Sequence, residues 1–258
     1  MNNKIKKILS KKNKTKIICL TSYSKNISEI LDKYSDIILV GDSLGSVLYS
    51  YNTTKNVTLN MMIEHSKSVR QGVKKSLMVV DMPYNSYNSK SEALKNAKKI
   101  IKYSKADAVK LEGGKKILSI IKHLRKNKIN VMGHLGILPQ SQIGKFRFKG
   151  KTTFERKRLL NDALLLQGSG VFSIVLECIE TKLAKEITKN LKIPTIGIGS
   201  SVNCDGQVLV TDDLVGLNLT PIKFVKKFYD IRKHFEIAIK KFSKEVKNKT
   251  YPSRKFSY

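Results

Sequence analysis

Six ionisable residues of the sequence lie in or just after short apolar segments: Asp42, Asp81, Lys110, Glu112, His134 and Glu177. A single acid after an apolar segment is most often a turn or helix-capping residue. Six such residues at one edge of a fold would be different, because a buried charge without a partner costs several kcal/mol. Such residues must be paired, hydrated or bound to a metal. The pattern therefore predicts one shared polar site.

The acids at positions 42, 81 and 112 have no cysteine partner and offer only oxygen ligands. Carboxylates of this kind select Mg²⁺ or Mn²⁺ over zinc. Lys110 supplies a point charge for a substrate carboxylate, and Glu177 is a candidate general base. A metal that polarises a carbonyl, together with a base that removes the neighbouring proton, makes an enolate. The residue set therefore indicates chemistry on a 2-oxo acid.

Eight apolar segments, bounded by turn residues, must position this site. They are nearly continuous rather than alternating, which is typical of parallel strands covered on both faces. They span residues 16–23, 36–42, 76–83, 107–114, 130–136, 171–178, 194–200 and 207–211. Segments with helical spacing separate most of them, at 26–34, 60–73, 89–103, 116–126, 154–166 and 182–191, and a long one follows at 224–246.

This rhythm predicts an α/β fold, a (β/α)₈ TIM barrel in a single domain over residues 1–258, with a long C-terminal helix. Residues 1–15 are expected to be a frayed basic N-terminus. In such a barrel the carboxyl ends of the strands form the active-site face, which is where the polar residues fall. A doubly wound open sheet is the alternative, disfavoured because no GxGxxG follows the first segment.

The formal net charge of +30 invites a nucleic-acid or membrane interpretation. However, the lysines are spread along the whole chain, and aromatic residues do not alternate with them as a base-stacking surface requires. The abundance of Lys, Asn and Ile, which share A/T-rich codons, favours drift in base composition on solvated surfaces. We therefore expect no nucleic-acid partner.

The sequence also lacks a run of about 18 uncharged apolar residues, so we expect no membrane span. The basic beginning of the chain has no apolar core or cleavage site typical of a secretory signal. Cys19, Cys178 and Cys204 are far apart and odd in number, which fits neither a disulfide framework nor a zinc site. The expected location is the reducing cytoplasm.

At these residues the chain resembles the ketopantoate hydroxymethyltransferase family. Seven blocks occur in family order and at family spacing, from about residue 16 to the end of the sequence. The blocks are LVGDSLG (39–45), DMPY (81–84), VKLEGG (109–114), VMGHLGILPQS (131–141), VLEC (175–178), IPTIGIG (193–199) and DGQVLV (205–210).

The resemblance implies a barrel of the phosphoenolpyruvate/pyruvate-type superfamily, assembled as a homodecamer of two pentameric rings. The implied reaction transfers a hydroxymethyl group from 5,10-methylenetetrahydrofolate to 3-methyl-2-oxobutanoate through a Mg²⁺-stabilised enolate. The product is 2-dehydropantoate, in pantothenate biosynthesis. On this resemblance Asp42 and Asp81 bind Mg²⁺ and face the substrate, with Glu112 close to the metal.

The resemblance also implies roles for the remaining polar residues. Ser43 and Lys110 hold the carboxylate of the keto acid, and His134 lies against its reacting end. Glu177 is the catalytic base that removes the C3 proton. The corner at residues 41–45 lacks the lysine and the length of a P-loop. We interpret it as a metal and carboxylate site.

The chain departs from the family pattern in four short motifs. Ser24 and Asp212 stand where the family has Asp and His, and Lys145 and Ser201 stand where it has Gly. These changes leave the implied ligands and base in place and bear on loop contacts and folate positioning.

Two other functions are alternatives. One is another Mg²⁺-dependent 2-oxo acid lyase or mutase of the same superfamily, although the Lys-x-Cys loop common in those enzymes is absent from the sequence. The other is a basic nucleic-acid-binding protein without enzymatic activity.

Overall fold

A computed structural model describes residues 2–141, 147–218 and 221–258 of the chain. In this part of the chain, eight parallel strands pair in sequence order and close into a barrel. The strands are β1 Ile17–Thr21, β2 Ile37–Val40, β3 Leu77–Asp81, β4 Ala108–Glu112, β5 Val131–Gly136, β6 Ser173–Glu177, β7 Thr195–Ile198 and β8 Gly206–Leu209. Because β1 pairs with β8, the predicted (β/α)₈ barrel is confirmed and the open sheet is excluded.

Helices connect most of these strands, as the spacing of apolar residues predicts. They are α1 Asn3–Ser10, α2 Lys25–Leu31, α3 Leu44–Tyr49, α4 Leu59–Gly72, α5 Lys90–Ser104, α6 Leu118–Lys126, α7 Thr153–Gly168, α8 Thr181–Asn190, α9 Thr211–Leu214 and α10 Ile231–Lys247. Short 3₁₀ turns lie at Thr54–Asn56, Lys115–Ile117 and Arg254–Phe256. Ser89 caps α5 by accepting a hydrogen bond from the Glu92 backbone N–H.

The two faces of the strands belong to two separate apolar clusters. Strands β2, β3 and β4 are buried at every residue, because one face meets the helices and the other fills the barrel. Val80 belongs to the outer cluster with helix residues, whereas Leu77 and Val79 belong to the inner cluster. Since alternate residues of a strand share a face, Asp81 continues the inner row of β3 at its carboxyl end.

The expectation of a frayed N-terminus is wrong. Residues 3–10 form α1, which Asn2 caps by accepting a hydrogen bond from the Lys4 backbone N–H. Ile5 and Ile8 are 1% exposed and belong to the inner cluster. Their i, i+3 spacing places them on one face of the helix, so burial of this face stabilises a segment that is otherwise rich in lysine.

The chain separates into two compact units, Met1–Val210 and Thr211–Tyr258. In the second unit the long helix begins at Ile231, seven residues later than predicted. The reason is that the backbone N–H groups of Phe228 and Ile231 donate to the carbonyls of Leu214 and Val215, each at 2.9 Å. These long-range bonds hold the preceding segment in a non-helical path. That a single domain spans residues 1–258 stays a prediction.

In the described ranges, none of the helices combines the length and the apolar character that crossing a membrane requires.

Asp32, directly after α2, fixes the loop that leads into β3. Its buried carboxylate accepts hydrogen bonds from the backbone N–H groups of Lys74, Lys75 and Ser76 at 2.9, 2.9 and 2.8 Å. Burial alone would raise the pKa of Asp32, but these three donors outweigh it and lower the pKa below its ordinary value. The charged form is therefore stabilised in the folded state.

We expect Asp32→Asn to lower the free energy of unfolding at pH 7 by about 2 kcal/mol, because the amide cannot accept all of these bonds. The folded pKa lies below the unfolded value of about 3.9, so the contribution is fully present above that pH and is lost as pH falls through the folded pKa. Urea unfolding at pH 7 and pH 3 checks this. Glu64→Gln, at an exposed ion pair with Lys67, is the control and should change stability by less than about 0.5 kcal/mol. An equal loss for both variants at pH 7 would contradict the role of Asp32.

Candidate active site

The register of the barrel brings five of the predicted residues together at the carboxyl ends of the strands. Asp81 and Lys110 are paired positions of β3 and β4, and Glu112 and His134 are paired positions of β4 and β5. Glu177 ends β6, beside the last residue of β5. Because residues two apart on a strand share a face, all five side chains continue the inner rows of the barrel. The structure therefore confirms that they converge on one rim.

Gly136, the last residue of β5, allows Glu177 to take this position. Its backbone has φ +105°, and a Cβ there would lie 2.0 Å from the carbonyl oxygen of Glu177. That oxygen accepts a hydrogen bond from the backbone N–H of Ile137 at 2.9 Å. Only glycine combines this conformation with so close an approach of two strands.

Lys110 is the buried cation of the site. Its Nζ lies 3.1 Å from Asp81 Oδ1, 4.0 Å from Glu112 Oε1 and 3.3 Å from His134 Nδ1. Burial alone would lower the pKa of Lys110, but the carboxylates of Asp81, Glu112 and Asp42 outweigh burial and raise the pKa above its ordinary value. Lys110 is therefore a permanent positive charge at neutral pH.

His134 lies between two carboxylates. Its Nδ1 is 3.4 Å from Glu112 Oε1, and its Nε2 is 3.3 Å from Glu177 Oε2. Burial and the Lys110 ammonium act to lower the pKa of His134, but its contacts with both acids outweigh them and raise the pKa to about 9. Burial likewise acts to raise the pKa of Glu112, but His134 and Lys110 outweigh it and lower the pKa. At neutral pH the imidazolium thus connects Glu112 to Glu177.

Asp42 follows β2 and joins the same group of charges. Its backbone N–H donates to Asp81 Oδ2 at 3.1 Å, and its own Oδ2 accepts from Gln140 Nε2 at 2.7 Å. Burial, together with the charges of Asp81 and Glu112, raises the pKa of Asp42 to about 8. Burial also raises the pKa of Asp81. Two buried carboxylates whose charged forms are destabilised in this way favour the binding of a cation.

Ser43 lies at the start of α3, half-buried, and its Oγ is 2.8 Å from the hydroxyl of Tyr23. The neighbouring Gly41 is needed for this arrangement, because a Cβ at that position would lie 2.8 Å from Ser43 Oγ. The backbone carbonyl of Tyr23 lies 2.8 Å from His65 Nδ1, and His65 Nε2 lies 2.9 Å from the hydroxyl of Tyr49. His65 is therefore a satisfied structural histidine.

Gln140 and Tyr87 belong to the site but are not among the residues that we predict from the sequence. Gln140 is 2% exposed and bonds to Asp42, and its Oε1 accepts from the hydroxyl of Tyr87 at 2.6 Å. Gln140 lies within the block VMGHLGILPQS, so the sequence alone places it in a family motif. A glutamine after a strand carries no ionisable group, and its burial among acceptors follows only from the fold.

The positions that depart from the family pattern lie at four different places. Ser24 is exposed at the start of α2, and Ser201 is buried, with its Oγ accepting from the Asn203 backbone N–H at 3.2 Å. Asp212 lies in α9, within the second unit. Lys145 lies outside the described residues.

The residues of the rim fit a divalent cation bound by two carboxylates. In the described ranges, no three His, Cys, Asp or Glu side chains are arranged as a ready-made metal cage, so Asp42, Asp81 and Glu112 do not form a three-ligand group. Asp81 Oδ1 and Glu112 Oε1 are nevertheless buried carboxylate oxygens, and the contacts they make are the ion pairs with Lys110 Nζ at 3.1 Å and with His134 Nδ1 at 3.4 Å. The donor set is all oxygen, and carboxylates outnumber cationic side chains. Mg²⁺ is commonly held by one or two carboxylates together with waters and substrate oxygens.

The structure is a (β/α)₈ barrel whose rim is acidic and contains a buried lysine and a carboxylate–histidine pair. These features define the class of barrel enzymes whose active site is built at the carboxyl ends of the strands. Residues 2–254 match the family described as ketopantoate hydroxymethyltransferase. The chain belongs to this family, and the predicted membership is confirmed.

The relatives support the same conclusion over the whole chain. A 3-methyl-2-oxobutanoate hydroxymethyltransferase of Pelagibacter ubique is 64% identical over 258 residues, which is 100% of both chains. Proteins with the same name from Acetivibrio thermocellus (46% identical, 96% of this chain and 90% of the relative) and Phenylobacterium zucineum (42%, 95% and 90%) are also similar. The activity expected of this chain is therefore that of an enzyme of this family.

Solved structures with much lower identity show the fold alone. A phosphonopyruvate hydrolase, solved with oxalate and Mg²⁺, is 9% identical with a TM-score of 0.64 over 98% of this chain and 93% of that chain. A 2,3-dimethylmalate lyase, described as a member of the PEP mutase/isocitrate lyase superfamily, is 10% identical with a TM-score of 0.64 over 98% and 86%.

Proposed function

We propose that this chain transfers a hydroxymethyl group from 5,10-methylenetetrahydrofolate to 3-methyl-2-oxobutanoate, giving 2-dehydropantoate. Membership of the family supports this reaction. The observation that carries the proposal is that one rim holds both Glu177 and the buried Lys110. His134 lies between them, with Nε2 at 3.3 Å from Glu177 and Nδ1 at 3.3 Å from Lys110, and Lys110 is paired with Asp81. The carboxylate of Glu177, which can accept a proton, thus lies near the positive charge of Lys110, which can bind a small carboxylic acid.

Mg²⁺ is the cofactor that this rim suits, with Asp42 and Asp81 as its ligands and Glu112 close by. When bound, the cation polarises the carbonyl of the keto acid and so makes its C3 proton more acidic. The neighbouring imidazolium of His134 and the ammonium of Lys110 limit the excess negative charge.

Lys110 and Ser43 bind the carboxylate of the keto acid. Lys110 is 4% exposed and directs a fixed positive charge into the site, which a carboxylate can neutralise. Ser43 offers a hydroxyl at the start of α3, held by the hydroxyl of Tyr23. Together these groups orient the substrate so that its C3 faces Glu177.

Glu177 removes the C3 proton, and His134 holds the carboxylate of Glu177 in place from 3.3 Å. The side chain of Glu177 is 18% exposed, so it can be reached from the site. The resulting carbanion equivalent forms the new C–C bond to the one-carbon unit of the folate. The two C–N bonds that hold this unit break, water supplies the hydroxyl oxygen, and tetrahydrofolate leaves with the protons on its nitrogens. One water is consumed overall, because a folate-borne methylene group becomes a hydroxymethyl group.

We also propose a setting for the enzyme. The reaction belongs to pantothenate biosynthesis, takes place in the cytoplasm and is carried out by a homodecamer of two pentameric rings. The family resemblance supports each of these points.

Hydrogen–deuterium exchange at C3 of 3-methyl-2-oxobutanoate tests the proposal directly. In D₂O, proton NMR should show loss of the C3 hydrogen with enzyme and Mg²⁺, and little exchange when EDTA is present. Addition of 5,10-methylenetetrahydrofolate should then convert the keto acid to 2-dehydropantoate. Absence of exchange with Mg²⁺ present would exclude this reaction.

A further inference from the structure

Gln140 joins the carboxylates of the rim to the neighbouring loops through four hydrogen bonds. Its Nε2 donates to Asp42 Oδ2 at 2.7 Å and to the Met82 carbonyl at 3.0 Å. Its Oε1 accepts from the Tyr87 hydroxyl at 2.6 Å, and its backbone N–H donates to Glu112 Oε2 at 3.1 Å. At 2% exposure, Gln140 has no alternative partner in bulk water.

The orientation of the Gln140 amide is fixed by its surroundings. Two of its neighbours, Asp42 Oδ2 and the Met82 carbonyl, are acceptors, so the NH₂ group must face them. The Tyr87 hydroxyl is then the donor to Oε1. A rotated amide would bring an oxygen against a carboxylate and a carbonyl, which is strongly unfavourable in a buried site. The side chain therefore has one satisfied orientation.

Through its side chain and its backbone, Gln140 engages one oxygen of each of two acids. It takes Oδ2 of Asp42 and Oε2 of Glu112, so the second oxygen of each carboxylate is left for other groups. For Glu112 this second oxygen, Oε1, is buried and lies 3.4 Å from His134 Nδ1 and 4.0 Å from Lys110 Nζ. A donor that occupies one oxygen fixes the rotation of the carboxylate and the direction of the other oxygen.

We propose that Gln140 is a positioning residue whose side chain fixes the Asp42 carboxylate so that its other oxygen faces a divalent cation, with Tyr87 holding the amide in place and Glu112 held beside the site by the Gln140 backbone N–H. This inference rests on the proposed function, in which these acids bind the cation or lie beside it. Gln140 acts through the acids and does not itself touch the substrate.

The test is the affinity of the purified chain for Mn²⁺, measured without substrate by the EPR signal of free Mn²⁺. Gln140→Met keeps the length of the side chain and removes its three side-chain hydrogen bonds. The dissociation constant should rise about 10- to 100-fold, as for the loss of other partners that orient metal ligands. Gln167→Met is the matched control, because Gln167 Oε1 accepts from the backbone N–H groups of Lys192 and Ile193, away from the rim. It should leave Mn²⁺ affinity unchanged.

Tyr87→Phe provides a second, milder variant that removes a single hydroxyl. It should weaken Mn²⁺ binding by a smaller factor than Gln140→Met. The double variant should bind no more weakly than Gln140→Met alone, because both residues act through the same amide. If Gln140→Met does not fold, Tyr87→Phe decides the question, and unchanged affinity in that variant would overturn the inference.

The outcomes separate this inference from the proposed function. Failure of the wild-type chain to bind Mn²⁺ would overturn both. Binding by the wild type with the same affinity in Gln140→Met would overturn only the role of Gln140.

Discussion

Glu177→Gln is expected to reduce C3 deuterium exchange of 3-methyl-2-oxobutanoate by about 10³-fold, within the range for removal of a general base. Glutamine has nearly the same shape as glutamate but cannot accept the proton. The side chain lies at the end of β6 and faces His134 Nε2 at 3.3 Å, so the substitution leaves the strand and its neighbours in place. Proton NMR in D₂O, with saturating Mg²⁺ and keto acid, measures the exchange rate.

Binding of the keto acid should survive this substitution, because the residues proposed to hold its carboxylate are Lys110 and Ser43. Isothermal titration calorimetry should give a dissociation constant within about threefold of the wild-type value, a difference of less than 1 kcal/mol. Glu186→Gln is the control, since Glu186 is an exposed acid of α8 that lies 3.4 Å from Arg156. Wild-type exchange in Glu177→Gln would remove Glu177 as the base.

The barrel and most of the residues of its rim could be predicted because local sequence patterns determine them. Lys110 and Glu112 are two residues apart on an apolar segment, so the period of a strand places them on one face without knowledge of the fold. The strand order then follows the chain. The carboxyl ends of parallel strands meet at one rim, which brings Glu177 near His134 although the two are 43 residues apart in the sequence.

Other features depend on contacts between distant parts of the chain. Helix α1 is a short lysine-rich segment, and burial of Ile5 and Ile8 against the inner cluster keeps it ordered. Helix α10 begins late because the residues before it bond back to Leu214 and Val215. Gln140 is identified as a site residue only from the fold, which places Asp42 beside its amide. Local sequence patterns contain none of these partners.

Asp81→Asn is expected to abolish Mg²⁺-dependent binding of the keto acid. Asparagine can still accept the backbone N–H of Asp42, now received by Asp81 Oδ2 at 3.1 Å, so the corner after β2 keeps its shape. What is lost is the charge, and with it both a proposed metal ligand and the ion pair to Lys110 at 3.1 Å. We expect Mg²⁺ affinity to fall at least about 100-fold, the upper end for loss of an outer partner of a metal ligand.

Calorimetry with Mg²⁺ and with EDTA measures this dependence, and Asp107→Asn is the matched control. Asp107 immediately precedes β4, at the opposite end of that strand from Glu112, and accepts the Met78 backbone N–H at 3.0 Å. Its substitution should lower stability through that bond and through weakened pairing with Lys4 and Arg70, while Mg²⁺-dependent binding remains. If Asp81→Asn bound the keto acid as the wild type does, and equally well in EDTA, the acids of the rim would serve to hold Lys110 in place rather than to bind a metal.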